Sequence, residues 1–149
     1  MTLYDFNNQP LLPPEPPSIL PSFTVHWIFD PEGQDPSFAY TDGLGVRAGR
    51  AYELAVFGLP GHLAQVVLRC AAEQLVRDSL DPAEGLELDE VLTTFPVRLR
   101  LVQDVSRFPM DRTVSDPDTP IWQVLIPDKW GLFPDDRHYC DIRSEQPFV

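Results

Sequence analysis

The sequence predicts a single α+β domain: a mixed or mostly antiparallel sheet with one main amphipathic helix, at about residues 61–79, packed on it. Three observations carry this. Five short apolar runs bounded by proline, glycine or aspartate read as strands. Only one stretch repeats its apolar residues at helical spacing. The chain has 149 residues, 43% of them hydrophobic, enough to bury one core and too apolar to be disordered throughout.

The elements follow in chain order. Residues 10–21, PLLPPEPPSILP, hold six prolines in twelve positions. Proline fixes φ and lacks a donor, so residues 1–21 form an extended proline-rich arm ahead of a domain spanning 22–149. Phe23, Val25, Trp27 and Phe29 alternate with Thr24, His26 and Ile28, a strand with one strongly apolar face, and Asp30-Pro31-Glu32-Gly33 closes it as a turn. Ser37 to Thr41 forms a second strand, followed by Asp42-Gly43 and a glycine-bearing loop to Gly49. Tyr52 to Leu59 is nearly all apolar, as a central strand buried on both faces would be.

Pro60 suits a helix start. Leu63, Val67, Cys70, Ala71, Gln74 and Leu75 then recur on one side, Arg69, Glu73 and Arg77 lie on the wet side, and Asp81-Pro82 ends the helix. An acidic loop follows. Val97 to Val102 and Ile121 to Ile126 are further strands, separated by irregular chain at 106–119, and PDKWGLFPDD turns sharply after the last of them.

Charge excludes several function classes. Lys and Arg total 11 against 23 Asp and Glu, a net charge of −12. Nucleic-acid and anionic-membrane surfaces need clustered bases, so neither partner is expected. No run reaches the 18 apolar residues of a membrane span. MTLYDFNNQP lacks the basic start and apolar run of a secretory signal, which points to the cytoplasm. Cys70 reads as a buried free thiol. His26, His62 and His138 are dispersed, and His138 with Cys140 is too little for zinc, so no metal and no cofactor is expected. There is no GxGxxG, phosphate loop or GxSxG.

Several blocks together resemble a known family. FAYTDGL at 38–44, YELAVFGLP at 52–60, WQVLIPDKWGLFP at 122–134 and the closing QP at 146–147 are similar to a bacterial family known as a domain of unknown function, DUF4262. The family often has His-Pro where this chain has Ala51-Tyr52, and commonly Trp where it has Ile126. No activity is established for the family, so the resemblance assigns no catalytic residue.

Two functional readings come from the residues. The first is a small protein-binding accessory module, immunity-like in logic and not an enzyme, that docks a basic protein. Residues 1–46 hold six acids and no base, and Asp78, Asp81, Glu84, Glu87, Asp89 and Glu90 form a second acid-only segment. Such segments steer positive partners. The second reading is an enzyme or small-ligand binder, its pocket built from the 40–44 loop, the start of the 52–59 strand and the 128–134 turn. Its candidates are Tyr40, Thr41, Asp42, Glu53, Asp128 and Trp130. Turn chemistry is the competing account of Asp42-Gly43 and of Pro127-Asp128 with Gly131. An ion pair with Arg47, Arg50, Arg98 or Arg100 is the competing account of Glu53.

Overall fold

A computed structural model describes residues 23–44, 52–104 and 119–149. The proline-rich arm, the glycine-bearing loop with Arg47 and Arg50, and most of the irregular 106–119 stretch lie outside the described residues. Six strands form one sheet. They are β1 (Thr24–Ile28), β2 (Phe38–Asp42), β3 (Glu53–Phe57), β4 (Glu87–Leu88), β5 (Val97–Leu101) and β6 (Ile121–Leu125), in the order β1-β2-β3-β6-β5-β4. Pairing is antiparallel except between β3 and β6. A parallel pair needs a crossover, and this one holds the helix α1 (Gly61–Arg77) together with β4 and β5. The fold is the expected α+β domain, with one helix on a mixed, mostly antiparallel sheet.

β3 is central and buried along its whole length, as its unbroken apolar run requires. Leu54 and Val56 point to α1 and meet Ala64, Val67, Leu68, Ala71, Ala72 and Leu75, with Ala39, Val97, Leu99 and Val124 from the neighbouring strands. Ala55 and Phe57 point the other way, to Phe38, Tyr40, Val102, Ile121 and the C-terminal Val149. Of the residues predicted for the buried face of α1, Val67, Ala71, Gln74 and Leu75 are buried, and the departure is at its start. Leu63 is 41% exposed while Ala64 and Leu68 are buried.

The helix also ends earlier than Asp81-Pro82. Ser79 takes a positive φ of 55°. Its N–H donates to the Val76 carbonyl, and the Leu80 N–H to that of Leu75. These two bonds close a Schellman motif. Glycine normally marks that position, and a serine gives no signal.

β4 was not expected within the acidic stretch. Two residues suffice because Leu88 is fully buried in the helix-side core and Glu87 faces Arg98 across the ladder. Leu88→Ala should therefore cost about 2–5 kcal/mol, read as a lower urea midpoint. A surface-loop leucine would cost a small fraction of that.

β1 departs most from expectation. Its apolar residues are not all covered: Trp27 is 41%, Ile28 39% and Phe29 57% exposed. The strand lies at the edge of the sheet and pairs only with β2 among the described residues. Phe23 and Val25 pack on the helix-side core. The Trp27 ring lies over Gly61, where a Cβ would come within 3.2 Å of it.

Candidate functional site

The strand register divides the predicted site residues between two ends of the sheet. β3 and β6 run parallel with Glu53 opposite Ile121. Asp42 and Glu53 thus sit at one end, and Asp128 follows β6 at the other. The three-segment pocket expected from the sequence does not assemble, because a parallel pairing separates the start of one strand from the end of the next.

At the first end the structure joins Thr41 to Glu53. Glu53 is fully buried. Its carboxylate accepts hydrogen bonds from Thr41 Oγ1 at 2.6 Å, Leu44 N at 3.1 Å and Gly43 N at 3.2 Å. Thr41 Oγ1 in turn accepts from Leu54 N at 2.9 Å. The Thr41 hydroxyl takes the place of a ladder carbonyl where β2 leaves β3, and Gly43 makes the turn at a φ of 97°. Glu53 is neither exposed nor paired with Arg98 or Arg100. Arg98 pairs with Glu87 at 3.0 Å, and Arg100 donates to the Val149 carbonyl at 2.8 Å. The cause is depth: the carboxylate meets the Thr41 hydroxyl and the Gly43 and Leu44 N–H groups, and the pairing expected with Arg47 or Arg50 lies outside the described residues. Beside it, His26 Nε2 lies 3.4 Å from Asp42 Oδ2, and its ring stacks on Tyr40 at 5.0 Å.

Asp128 is a turn residue of the same kind. Oδ1 accepts from Trp130 N and Leu132 N at 2.8 and 2.9 Å, and Oδ2 from Cys140 N at 2.8 Å. Burial alone would raise its pKa, but the N–H groups of Leu132, Cys140 and Trp130 outweigh it and hold the carboxyl below its ordinary value. Gly131 is required here, since a Cβ would sit 2.7 Å from the Phe95 ring. Trp130 projects outward, 64% exposed, with Lys129 Nζ 5.5 Å from its ring centroid.

Gln146 is a third such staple, which sequence reasoning passed over. Its amide pairs with both main-chain groups of Ile126, at 2.7 Å each, and donates to the Tyr139 hydroxyl at 2.9 Å. An isolated Gln-Pro near the end of a chain has no local pattern to betray this.

The acid-only segment 78–90 is largely engaged from within. Asp78 and Asp89 accept from Gln74 Nε2, Glu90 pairs with Arg77, Glu87 with Arg98, and Glu84 accepts from Leu101 N. Asp81 is exposed. Arg77 and Arg98 lie outside the segment in sequence but beside it in space, and offset two of its six charges.

The thiols show no nucleophile geometry. Cys70 and Cys140 are both free. Burial pushes the Cys70 thiol up. Cys140 turns its Sγ to the His138 carbonyl, and Arg137 Nε donates to the His138 ring. No group of three metal-capable side chains gathers among the described residues, and no helix among them is long and apolar enough to cross a membrane.

The surface that stands out is the opposite end of β1. Trp27 and Phe29 stack at 5.1 Å. Beside them Ile28, Phe29, Pro36 and Phe38 with Asp30, Asp35 and Asp104 line a cleft of about 470 Å³. Asp30 holds the turn: its carboxylate accepts from Glu32 N, Gln34 N and Asp35 N. The Glu32 N–H contributes most to keeping its pKa low, with burial opposing. Trp27 Nε1 and Ser37 Oγ both donate to the Leu59 carbonyl, which ties this hairpin to the end of β3. The sequence did carry a signal for this surface. Trp27-Ile28-Phe29 places large apolar groups on both faces of one strand, and an edge strand over one helix cannot cover both.

The family described as "Domain of unknown function (DUF4262)" matches residues 22–140. No curated protein matches the chain, and no solved structure does.

Proposed function

The chain belongs to the DUF4262 family, and from that premise we propose that it is a protein-docking module for a basic partner, with the β1 edge as its docking element. The observation that carries this is the exposure of Trp27 and Ile28 on β1, an edge strand among the described residues, and of Phe29 just past its end, next to Asp30, Glu32 and Asp35 with no Lys or Arg between residues 23 and 44. An edge offers unpaired main-chain groups to an extended peptide. The aromatics supply apolar contact, and the carboxylates favour Lys and Arg on the incoming strand. The docking charge in this reading moves from the 78–90 segment, where Arg77 and Arg98 stand beside the acids, to the β1–β2 turn, which has no Lys or Arg. A neutralising accessory role belongs to the same proposal. So does a cytoplasmic setting, supported by two cysteines held as free thiols.

An alternating Lys-Val octapeptide and its Glu-Val counterpart test the reading by amide chemical-shift titration. The Lys-Val peptide should shift the amides of 24–29 and weaken as salt rises. Glu32→Lys with Asp35→Lys should cut its affinity about tenfold. Phe29→Ala, at an exposed position, should weaken binding without changing stability. Equal binding of the Glu-Val peptide, or shifts away from β1, would overturn the proposal.

A further inference from the structure

A second cleft lies where β3 and β6 end. Phe57, Leu59, Ile126 and Ile142 form its apolar walls, and its volume is about 280 Å³. Tyr139, 7% exposed, is also in the lining. Asp141 and Glu145 also line it, both exposed, and no basic side chain does. Arg143, which is absent from the lining, donates to the carbonyls of Pro134 and Asp136 at 3.0 and 2.7 Å, with its Cζ 5.9 Å from the Tyr139 ring centroid. The cleft depends on a close approach of backbone. Gly58 has a φ of 81°, and a Cβ there would meet the Glu145 carbonyl at 2.6 Å. Glycine lets the 3-10 turn Arg143–Glu145 close against the end of β3.

We propose that this cleft binds a primary alkylammonium group, its hydrocarbon chain between Phe57, Leu59, Ile126 and Ile142 and its cationic head at Asp141 and Glu145. A cleft lined by apolar side chains and two acidic residues suits a group that is apolar along its length and positive at its tip. A carboxylate-tipped ligand of the same shape meets like charge, and a neutral one leaves the two carboxylates without a counter-charge. The cleft meets the β1 surface at Leu59, whose carbonyl accepts from Trp27 Nε1 and Ser37 Oγ, and its other walls lie away from β1.

The test is a titration of the full chain, followed by amide chemical shifts, with n-pentylamine hydrochloride, 1-pentanol and sodium pentanoate. The ammonium should shift Gly58, Leu59 and Ile142. It should bind at least about tenfold more tightly than the alcohol, and pentanoate should bind more weakly than either. Asp141→Asn with Glu145→Gln should bring the ammonium to within about threefold of the alcohol while leaving the Tm unchanged, as expected of exposed side chains. Ile142→Ala, also at an exposed position, should weaken ammonium and alcohol together. Nα-acetyl-lysine N-methylamide separates the sources of the group: binding as tight as pentylamine assigns a protein side chain, weaker binding a free amine. Equal affinity for ammonium and alcohol in the unmodified chain, binding of pentanoate as tight as that of pentylamine, or shifts confined to β1 would overturn the proposal.

Discussion

Glu53→Ala should lower stability by about 3–5 kcal/mol, the largest loss expected of a single polar substitution in this chain. The carboxylate is fully buried and accepts from Thr41 Oγ1, Gly43 N and Leu44 N. Each buried donor left without an acceptor costs about 1–3 kcal/mol. Urea unfolding reads the loss directly. Glu53→Gln should fall between the two, because an amide keeps one acceptor and turns its NH₂ toward a donor. Thr41→Val should couple strongly to Glu53→Ala in a double-mutant cycle, since the two side chains share a bond and Leu54 N relies on the hydroxyl. Additive losses would mean that the two side chains act separately.

Asp128→Asn should lower the Tm at pH 7 by roughly 5 °C or more, and the gap from the unmodified protein should narrow as the solution is acidified. The sign follows from linkage. The folded carboxyl has a pKa below its ordinary value of 3.8, so the unfolded chain takes up the proton first as pH falls. The stability that this group supplies is complete above the unfolded pKa and is lost as pH falls through the folded one. Asparagine has no such titration. Its carbonyl can still serve Trp130 N or Leu132 N, but its NH₂ opposes Cys140 N, the donor that Oδ2 now satisfies. Thermal melts between pH 7 and pH 3 on both proteins give the comparison. A gap that stays constant through that range would count against a depressed Asp128 pKa.

These two carboxylates show what was and was not legible. Both stood out as acids in otherwise apolar or turn-rich blocks, Glu53 at the mouth of a buried strand and Asp128 after proline. Their depth was not legible. Glu53 finds its donors in residues 41–44, across a strand pair, and Asp128 finds one in Cys140, twelve positions on. Turn chemistry at Asp42-Gly43 and Asp128-Gly131 was within reach of the sequence, because positive φ at glycine is a local demand. The ion pairing of the 78–90 acids was not, since Arg98 meets Glu87 only once β4 and β5 are in register.

The sequence by itself determined the local elements: five of the six strands, the helix at 61–77 within two residues, the central place of β3, and the α+β class. Periodicity and turn residues act over a few positions, and those elements needed nothing more. Tertiary structure decided where β6 pairs, and that β1 ends the sheet among the described residues, with Trp27, Ile28 and Phe29 exposed. It also decided that Glu53, Asp128 and Gln146 hold main-chain groups in place. Each of these depends on chain brought together from distant positions, where partners are set by register and packing and leave no periodic trace.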